Sequence, residues 1–325
     1  MKLHDDQDAF LAILQLTNEL TGIRADILEK DYYVTLVLKE LADKQNVLPA
    51  FFKGGTALYK ALGTIRRFSE DIDLTVRVDD CSSIEARQRL VEAAQGYRCL
   101  PRSAASELEY DYIDSISSVF QYKPLVDYLH NDPLQRFSQV RIEASSYTIS
   151  EPTESRVIAP VILEYATEEQ KAVLDNQYDV APFSIETIRI ERIFIDKIFA
   201  SEYYYSKETT DKKYLDVAKH IYDIAVMSKL DVIKTFLQNV AYLNEIISFK
   251  RREESGWKES DLDHRPFREF ITLRDLEKDN NLETEYSRMQ DIYIFDDSYR
   301  IEYRSVCSTL TEVLGTIINL VGDTV

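Results

Sequence analysis

Asp71 and Asp73 are the two residues whose types and spacing most directly indicate chemistry in this sequence. They stand two apart at the start of residues 71–78, where polar and apolar residues alternate as in a half-buried β-strand. Side chains two apart on a strand project from the same face, so the two carboxylates can share one cation. Among 57 acidic residues, such a pair is equally typical of a solvated strand face, and its surroundings have to decide.

The adjacent Gly54 and Gly55 precede this acidic pair. The chain has only 8 glycines in 325 residues, so two in succession indicate a backbone that must stay bare. They follow a short strand-like run, residues 50–53, and open a helical segment near Thr56. Backbone N–H groups at such a turn can approach a phosphate, although an ordinary strand-to-helix turn is the alternative. The glycine patterns of dinucleotide-binding folds and of P-loops are absent.

A third acidic residue, Glu143, lies in the strand-like segment of residues 139–147. Taken alone, a glutamate in a short strand is more typical of a solvated face. Together with Asp71 and Asp73 beside a phosphate-binding turn, it completes a set of three carboxylates that can hold two Mg²⁺ ions. Two such ions can align a triphosphate with an attacking hydroxyl, as in nucleotidyl transfer.

The elements that must position these residues suggest a fold in two parts. The pattern gives helices over residues 5–21 and 24–43, an α/β region over about 50–165, and helices from about Ile185 almost to the end. This order predicts an α+β fold. We predict two domains, residues 1–182 for a catalytic domain with N-terminal helices and residues 183–325 for a helical domain that contributes to the active-site cleft.

Composition excludes several classes of protein. Hydrophobic residues make up 45% of the chain, so an overall disordered state is excluded. No apolar run approaches 18 residues, and the N-terminus turns acidic at once, so we expect no membrane segment and no secretory signal. Three widely spaced cysteines and four scattered histidines favour neither a disulfide framework nor a zinc site, which fits a reducing cytoplasm.

The net charge of −18 argues against a surface coated with positive charge for binding nucleic acid. Any RNA contact would have to be local, and the groove that we predict for it would use Lys53, Lys60, Arg66 and Arg67. A pair of loop arginines is otherwise more typical of solvated side chains. We interpret a second basic run, residues 250–252, as an exposed helix end.

Two short segments resemble the motifs of a known family. Residues 52–58 (FKGGTAL) and 67–74 (RFSEDIDL) resemble the AbiEii/AbiGii nucleotidyltransferase toxins of the DNA polymerase β-like nucleotidyltransferase superfamily, to which the mycobacterial MenT toxins are related. Residues 192–198 resemble the family's helix with a functional lysine, and residues 219–224 resemble its segment ending in Tyr-Asp. The resemblance spans roughly residues 25–230.

The run of residues 29–32 (EKDY) also resembles an early helix of the family, and we assign it no chemistry. For the other motifs, the resemblance implies roles. The nucleotide-binding residues would be Lys53, Gly54, Gly55, Thr56, Arg67, Ser69 and Lys197. The metal ligands would be Asp71, Asp73 and Glu143, and the catalytic residues would be Asp71, Asp73, Lys197 and Asp223. Asp223 could orient either Lys197 or the base, and without the family both residues would be interpreted as surface side chains.

The resemblance further implies a mixed-sheet nucleotidyltransferase core followed by a C-terminal helical domain, with Mg²⁺, or alternatively Mn²⁺, as cofactor. The expected protein is a cytoplasmic toxin of a type IV-like toxin–antitoxin or phage-defence system with an AbiEi-like antitoxin. It would transfer NMP from an NTP to an acceptor, with the 3′ end of tRNA favoured. Nucleotidylation of a protein hydroxyl and a non-catalytic NTP-binding module that acts through partner contact are the alternatives.

Overall fold

The computed structural model of the protein describes residues 1–61, 63, 67–103, 106–128, 138–207, 212–256 and 260–322. The chain forms two compact units. The first unit comprises Met1–Leu62 and Phe68–Thr187, and the second comprises Gly63–Arg67 and Ile188–Val325. The two functional domains predicted from the sequence, residues 1–182 and 183–325, stay a prediction.

The described residues contain one mixed sheet of seven strands in the order β3-β4-β5-β2-β1-β7-β6. The strands are β1 (Ala50–Lys53), β2 (Ile72–Val76), β3 (Tyr110–Asp111), β4 (Ser115–Gln121), β5 (Gln139–Ser145), β6 (Thr153–Ile158) and β7 (Phe183–Ile188). The central strand β2 pairs antiparallel with β1 and parallel with β5. Its Ile72 and Leu74 are fully buried, whereas Asp73 between them is half-buried, so one face of β2 packs in the core and the other carries the acidic side chain.

The helices of the first unit are α1 (Gln7–Thr21), α2 (Ala25–Lys44), α3 (Gly54–Lys60), α4 (Ser83–Gln95), α5 (Val161–Glu164) and α6 (Glu168–Tyr178). Local capping explains several of their ends. The Asp6 side chain accepts the Ala9 N–H at the start of α1, and the Ser82 side chain accepts the Glu85 N–H at the start of α4. Helix α2 is unusual because its first half buries charged side chains.

The described part of the second unit is helical. Its helices are α7 (Ile190–Tyr205), α8 (Tyr214–Met227), α9 (Asp231–Gln238), α10 (Val240–Glu254), α11 (Thr272–Asp275), α12 (Asn280–Tyr293) and α13 (Tyr303–Val321). Short 3₁₀ turns occur at Leu3–Asp5, Phe267–Glu269, Leu276–Lys278 and Asp297–Tyr299. Helices α7 and α8 pack along each other, and the buried side chains Phe194, Ile198 and Ile221 belong to their core.

One element differs from the sequence prediction. The helical pattern expected from about Ile185 begins only at Ile190, because Phe183–Ile188 form strand β7. The buried residues Ile185 and Ile188 are three apart, a spacing that fits a helix as well as the end of a strand. The deciding contact is the parallel pairing of β7 with β1, which joins Thr187 to Phe52.

Candidate active site

The acidic side chains of the central strands lie next to one another in register. Asp73 of β2 is opposite Lys53 of β1 on one side and opposite Glu143 of β5 on the other. Asp71 precedes β2 by one residue and is also half-buried. The sheet therefore brings together two of the acidic residues predicted from sequence, Asp73 and Glu143, with Asp71 two positions away along the chain.

Gly54 allows the Asp73 carboxylate to lie against the first turn of α3. Its φ of +77° is in the left-handed region that favours glycine. A Cβ atom at this position would overlap the carboxylate and lie 2.9 Å from the Asp73 Cγ. The bare backbone at Gly54 thus has a specific reason, which is close approach of a strand carboxylate and a helix start.

Thr56 stabilises the loop that carries Asp71 by a hydrogen bond. The residue is fully buried, and its hydroxyl donates to the Asp71 carbonyl and lies 3.0 Å from the Ser69 hydroxyl. The side chain that was expected to contact phosphate is therefore engaged inside the protein, where it fixes the turn before β2. Contact of Thr56 and Ser69 with a nucleotide stays a prediction.

Glu143 is engaged in an ion pair. Its carboxylate pairs with the Arg141 guanidinium on the same strand and accepts a 3.3 Å hydrogen bond from the Tyr110 hydroxyl. Burial and the neighbouring carboxylate of Glu143 raise the pKa of Tyr110, so this hydroxyl keeps its proton. Glu143 would have to leave Arg141 before it could bind a metal.

The fit of a metal to these residues is therefore partial. In the described ranges, no group of three or more His, Cys, Asp or Glu side chains is arranged to hold a metal ion. Asp71, immediately before β2, and Asp73, in β2, offer the oxygen ligands that Mg²⁺ prefers. One observation favours an ion here. The absence of a side chain at Gly54 lets the Asp73 carboxylate lie at the N-terminus of α3.

Lys53 and Lys60 lie at the two ends of the turn and helix α3 and have different partners. The Lys53 Nζ lies 3.3 Å from the Thr148 hydroxyl and 3.4 Å from the Ser145 hydroxyl. The Lys60 ammonium is buried and forms a 2.6 Å ion pair with Asp31. Lys60 is therefore not available for the RNA groove predicted from the sequence, and Arg66 lies outside the described residues.

Sequence reasoning missed the role of the charged run in α2. Lys30 is fully buried, and its ammonium lies 3.4 Å from the Glu70 carboxylate and donates to the Gln139 carbonyl. Glu70 immediately precedes Asp71, so α2 holds the motif loop by a buried ion pair. The signal in the sequence was three successive charged residues, Glu29, Lys30 and Asp31, between the apolar pair of residues 27–28 and the largely apolar run of residues 32–38.

The neighbours of Lys30 bind two further segments. Asp31 accepts the Val161 N–H at 2.7 Å, in addition to its ion pair with Lys60. Glu29 accepts the N–H groups of Leu125 and Val126, and burial raises the pKa of its carboxyl to about 7. The charged run thus links α2 to distant parts of the first unit.

The second unit contains a buried cluster of charges around Asp223. Its carboxylate accepts two hydrogen bonds from Arg67, of 2.7 and 2.6 Å, and lies 3.0 Å from the Lys197 ammonium. All three side chains are at least nine-tenths buried. Burial alone would raise the pKa of Asp223, but the charges of Arg67 and Lys197 outweigh it and hold the pKa below its usual value. Asp223 therefore orients two cations, and Arg67 is not an exposed loop arginine.

His220 completes this cluster. Its Nδ1 lies 3.3 Å from the Lys197 ammonium, and its ring stacks on Tyr204. Burial and the nearby charge of Lys197 lower the pKa of His220 well below its ordinary value, so the imidazole is neutral at neutral pH. A neutral Nδ1 can accept a hydrogen bond from Lys197, which fixes the direction of the ammonium.

The sequence also matches a known protein family. The family described as "Nucleotidyl transferase AbiEii toxin, Type IV TA system" matches residues 36–304, most of the chain. The chain belongs to this family. Its members are nucleotidyltransferase toxins of type IV toxin–antitoxin systems, and the family assignment made from the sequence motifs is confirmed.

Solved structures add the fold. The chain is similar to MenT4, a nucleotidyltransferase toxin from Mycobacterium tuberculosis H37Rv, with a TM-score of 0.50 and 13% identity over 95% of this chain and 91% of that chain. JHP933 from Helicobacter pylori gives a TM-score of 0.42 and 14% identity over 90% and 93% of the two chains. No curated protein matches the chain. The similarity to MenT4 confirms the predicted α+β nucleotidyltransferase fold.

Membership of the AbiEii family indicates the general activity of the protein. This AbiEii-family protein is a nucleotidyltransferase toxin of the type IV toxin–antitoxin family. Nucleotidyltransferases of this kind generally use a divalent metal and an NTP, and toxins of such systems are paired with an antitoxin. No helix in the described ranges combines the length and apolar character needed to cross a bilayer.

Proposed function

We propose that this AbiEii-family protein is a Mg²⁺-dependent toxin that transfers NMP from an NTP to the 3′ end of tRNA. Its setting would be the cytoplasm, in a system that includes an AbiEi-like antitoxin and acts in phage defence. The observation that carries the proposal is the packing of the Asp73 carboxylate against the glycine turn, two residues from Asp71. A carboxylate pair at a bare backbone turn suits a substrate that combines phosphates with a metal ion.

The proposed roles in the first unit follow from their positions. Asp71 and Asp73 would hold Mg²⁺, and Glu143 would join them if it released Arg141. The ion would neutralise the charge that develops on the phosphates. Backbone N–H groups at Gly54 and Gly55 would bind phosphate oxygens.

The second unit would supply positive charge. Lys197, held by Asp223 and His220, would bind the triphosphate through its ammonium. Arg67 shares Asp223 and would help to keep it ionised. In the reaction, an acceptor hydroxyl oxygen bonds to the α-phosphorus, the bond from that phosphorus to the bridging oxygen breaks, and pyrophosphate leaves while the hydroxyl proton passes to solvent.

The test is incubation of the purified protein with total RNA, Mg²⁺ and each α-labelled NTP in turn, followed by separation of RNA from protein. We expect label in an RNA band of tRNA size with one preferred NTP. Label on protein instead would favour nucleotidylation of a protein hydroxyl and contradict the RNA acceptor. Tight NTP binding in calorimetry without label on any product would favour the non-catalytic module.

A further inference from the structure

A continuous line of contacts leads from Lys197 to the exposed surface of the second unit. The Lys197 ammonium lies 3.3 Å from His220 Nδ1, and the His220 ring stacks on Tyr204 with centroids 5.8 Å apart and an interplanar angle of 16°. The ammonium of the exposed Lys213 lies 5.2 Å from the centroid of the same Tyr204 ring. The buried charge cluster is thus joined to the surface by one imidazole and one phenol ring.

Further lysines of the same region lie over tyrosine rings. The Lys207 ammonium is 4.3 Å from the Tyr203 ring centroid, and the Lys212 ammonium is 4.0 Å from the Tyr205 ring centroid. We call Tyr203, Tyr204, Lys207, Lys212, Lys213 and His220 the Lys/Tyr strip. The two tyrosines belong to the end of α7, the three lysines to the residues that adjoin α7 and α8, and His220 to the middle of α8. Residues 208–211 lie outside the described ranges.

The strip stands out against the charge of the whole chain, which is −18. Of the four basic residues predicted for RNA binding, Lys60 and Arg67 are buried in ion pairs with carboxylates, and Arg66 lies outside the described residues, which leaves Lys53. By contrast, Lys212 and Lys213 form no ion pair with any residue that the structure describes, and tyrosine rings hold them instead. Lysines ordered by cation–π contacts keep their charge available for an anion.

The combination of surface cations and half-buried aromatic rings has a specific ligand chemistry. Lysines can bind the phosphates of a flexible strand, and tyrosine faces can stack on its bases irrespective of sequence. A folded acidic protein would use the lysines but has no need of the rings. A duplex would offer phosphates but no free base faces.

We propose that the Lys/Tyr strip binds the single-stranded end of an RNA acceptor. The inference rests on the proposed function, because RNA is the acceptor in both. In the complex, bases take the positions over Tyr203 and Tyr204 that Lys207 and Lys213 hold in the free protein. The displaced ammonium groups move onto the adjoining phosphates, and the strand leads toward Lys197, the residue assigned to the triphosphate.

The first test removes the charges. We compare the triple variant K207Q/K212Q/K213Q with the control K229Q/K234Q/K278Q, which neutralises three exposed lysines elsewhere in the same unit. Fluorescence anisotropy measures binding of a labelled single-stranded RNA of about 12 nucleotides, within the usual site size, across a salt series. We expect the strip variant to bind at least about tenfold more weakly and to lower the magnitude of the log K against log salt slope by about 2, while the control behaves like the parent.

The second test removes a ring. Tyr204→Ala should weaken binding of the same RNA about tenfold, whereas Tyr204→Phe keeps the stacking face and should bind like the parent. NTP affinity, measured by calorimetry, should stay unchanged in the triple variant, which shows that its fold is intact.

Equal RNA affinity and equal salt slope in the parent and the triple variant would overturn the proposal. So would a strip variant that loses binding of an acidic protein partner while its RNA affinity is unchanged. Because binding is measured without turnover, the outcomes separate the two claims. If the strip binds RNA but the protein transfers no nucleotide, only the proposed function is contradicted. If the protein transfers nucleotide to RNA, but the parent and the triple variant K207Q/K212Q/K213Q bind RNA with equal affinity, only the proposal for the strip is contradicted.

Discussion

Gly54 links backbone conformation to the position of a candidate metal ligand. Its positive φ and the close approach of the Asp73 carboxylate each exclude a side chain. Gly22, at the end of α1, has a similar φ of +71° but no heavy atom within 4 Å of a hypothetical Cβ. Alanine variants of the two glycines can therefore distinguish the effect of backbone strain, present at both positions, from the effect of displacing Asp73, present only at Gly54.

We predict that Gly54→Ala lowers the transfer rate about a hundredfold, because a carboxylate moved by about 1 Å loses its alignment. Gly22→Ala should leave the rate unchanged. Both variants should lose about 1–3 kcal/mol of unfolding free energy in urea titrations, since alanine is strained at positive φ. Transfer at the parental rate by Gly54→Ala would show that the glycine does not position the site.

The charge cluster around Asp223 makes a prediction about pH. The pKa of His220 is lower in the folded protein than in the unfolded chain, so the unfolded chain binds the proton first as the pH falls. The stability that depends on neutral His220 is therefore complete above about pH 6.5 and declines below it.

We expect the unfolding free energy of the parent to fall more steeply below about pH 6.5 than that of His220→Asn, by up to about 1.4 kcal/mol per pH unit. Chemical denaturation at a series of pH values measures both curves. The variant keeps the other titrating groups, including His4 and Glu29, so the difference isolates His220. Parallel curves would contradict a neutral imidazole beside Lys197.

At the scale of elements, helix α2 acts as a support for the motif loop. Lys30 reaches Glu70 beside Asp71, while Asp31 binds Lys60 of α3 and the start of α5. Helix α2 therefore holds both the loop that carries Asp71 and the helix that carries the glycines. This gives a physical role to a motif that the sequence alone left without chemistry.

We predict that Lys30→Met lowers the unfolding free energy by about 3–5 kcal/mol, because it removes one partner of a buried ion pair. The double variant Lys30→Met with Glu70→Gln should recover part of this loss, since no buried charge remains. Urea titrations of both single variants and the double variant provide the cycle. Strictly additive losses would mean that Lys30 and Glu70 do not interact.

Several elements could be predicted from the sequence because their information is local. Alternation predicted β2 and the strand-like composition of residues 139–147 predicted β5, each within two residues, and apolar periodicity predicted α1 and α2. Strand β7 was assigned to a helix because its pairing with β1 joins segments more than 130 residues apart. Periodicity over six residues cannot report such a partner.

The exposure of charged side chains was predicted least well, for the same reason. Lys250 and Arg251 were interpreted as an exposed helix end, but Lys250 pairs with Glu254 at 2.7 Å and Arg251 lies between the rings of Phe199 and Phe267. Arg67 is buried because its partner, Asp223, comes from 156 residues further along the chain. Residue type indicates a solvated side chain by default, and only the tertiary structure supplies the partner.

At the scale of the whole molecule, two short motifs were sufficient for the family and the fold. The glycine turn and the aspartate pair are close in sequence, and β1 and β2 pair directly, so local sequence described most of this part of the site. The cluster of Arg67, Lys197 and Asp223 was accessible only through the family resemblance, because its members are far apart in the sequence. The Arg141 partner of Glu143 was not foreseen.

The acidic balance of the molecule bears on its acceptor. With a net charge of −18, RNA has to bind where cations are concentrated, and the sequence placed that region beside the glycine turn. Because Lys60 and Arg67 are buried, we propose the Lys/Tyr strip of the second unit as the RNA-binding region instead. Whole-molecule charge thus limits where an acceptor can bind without deciding what the acceptor is.

The central claim is that nucleotidyl transfer depends on Asp71 and Asp73, the proposed Mg²⁺ ligands. The most direct test measures the rate at which matched variants transfer NMP from an α-labelled NTP. The variants are Asp71→Asn, Asp73→Asn and the control Asp79→Asn, which neutralises an exposed aspartate shortly after β2. We predict that both site variants fold like the parent, as urea titrations would show, and transfer label at least about a thousandfold more slowly, while Asp79→Asn transfers at the parental rate. Transfer by Asp73→Asn at the parental rate would contradict the account.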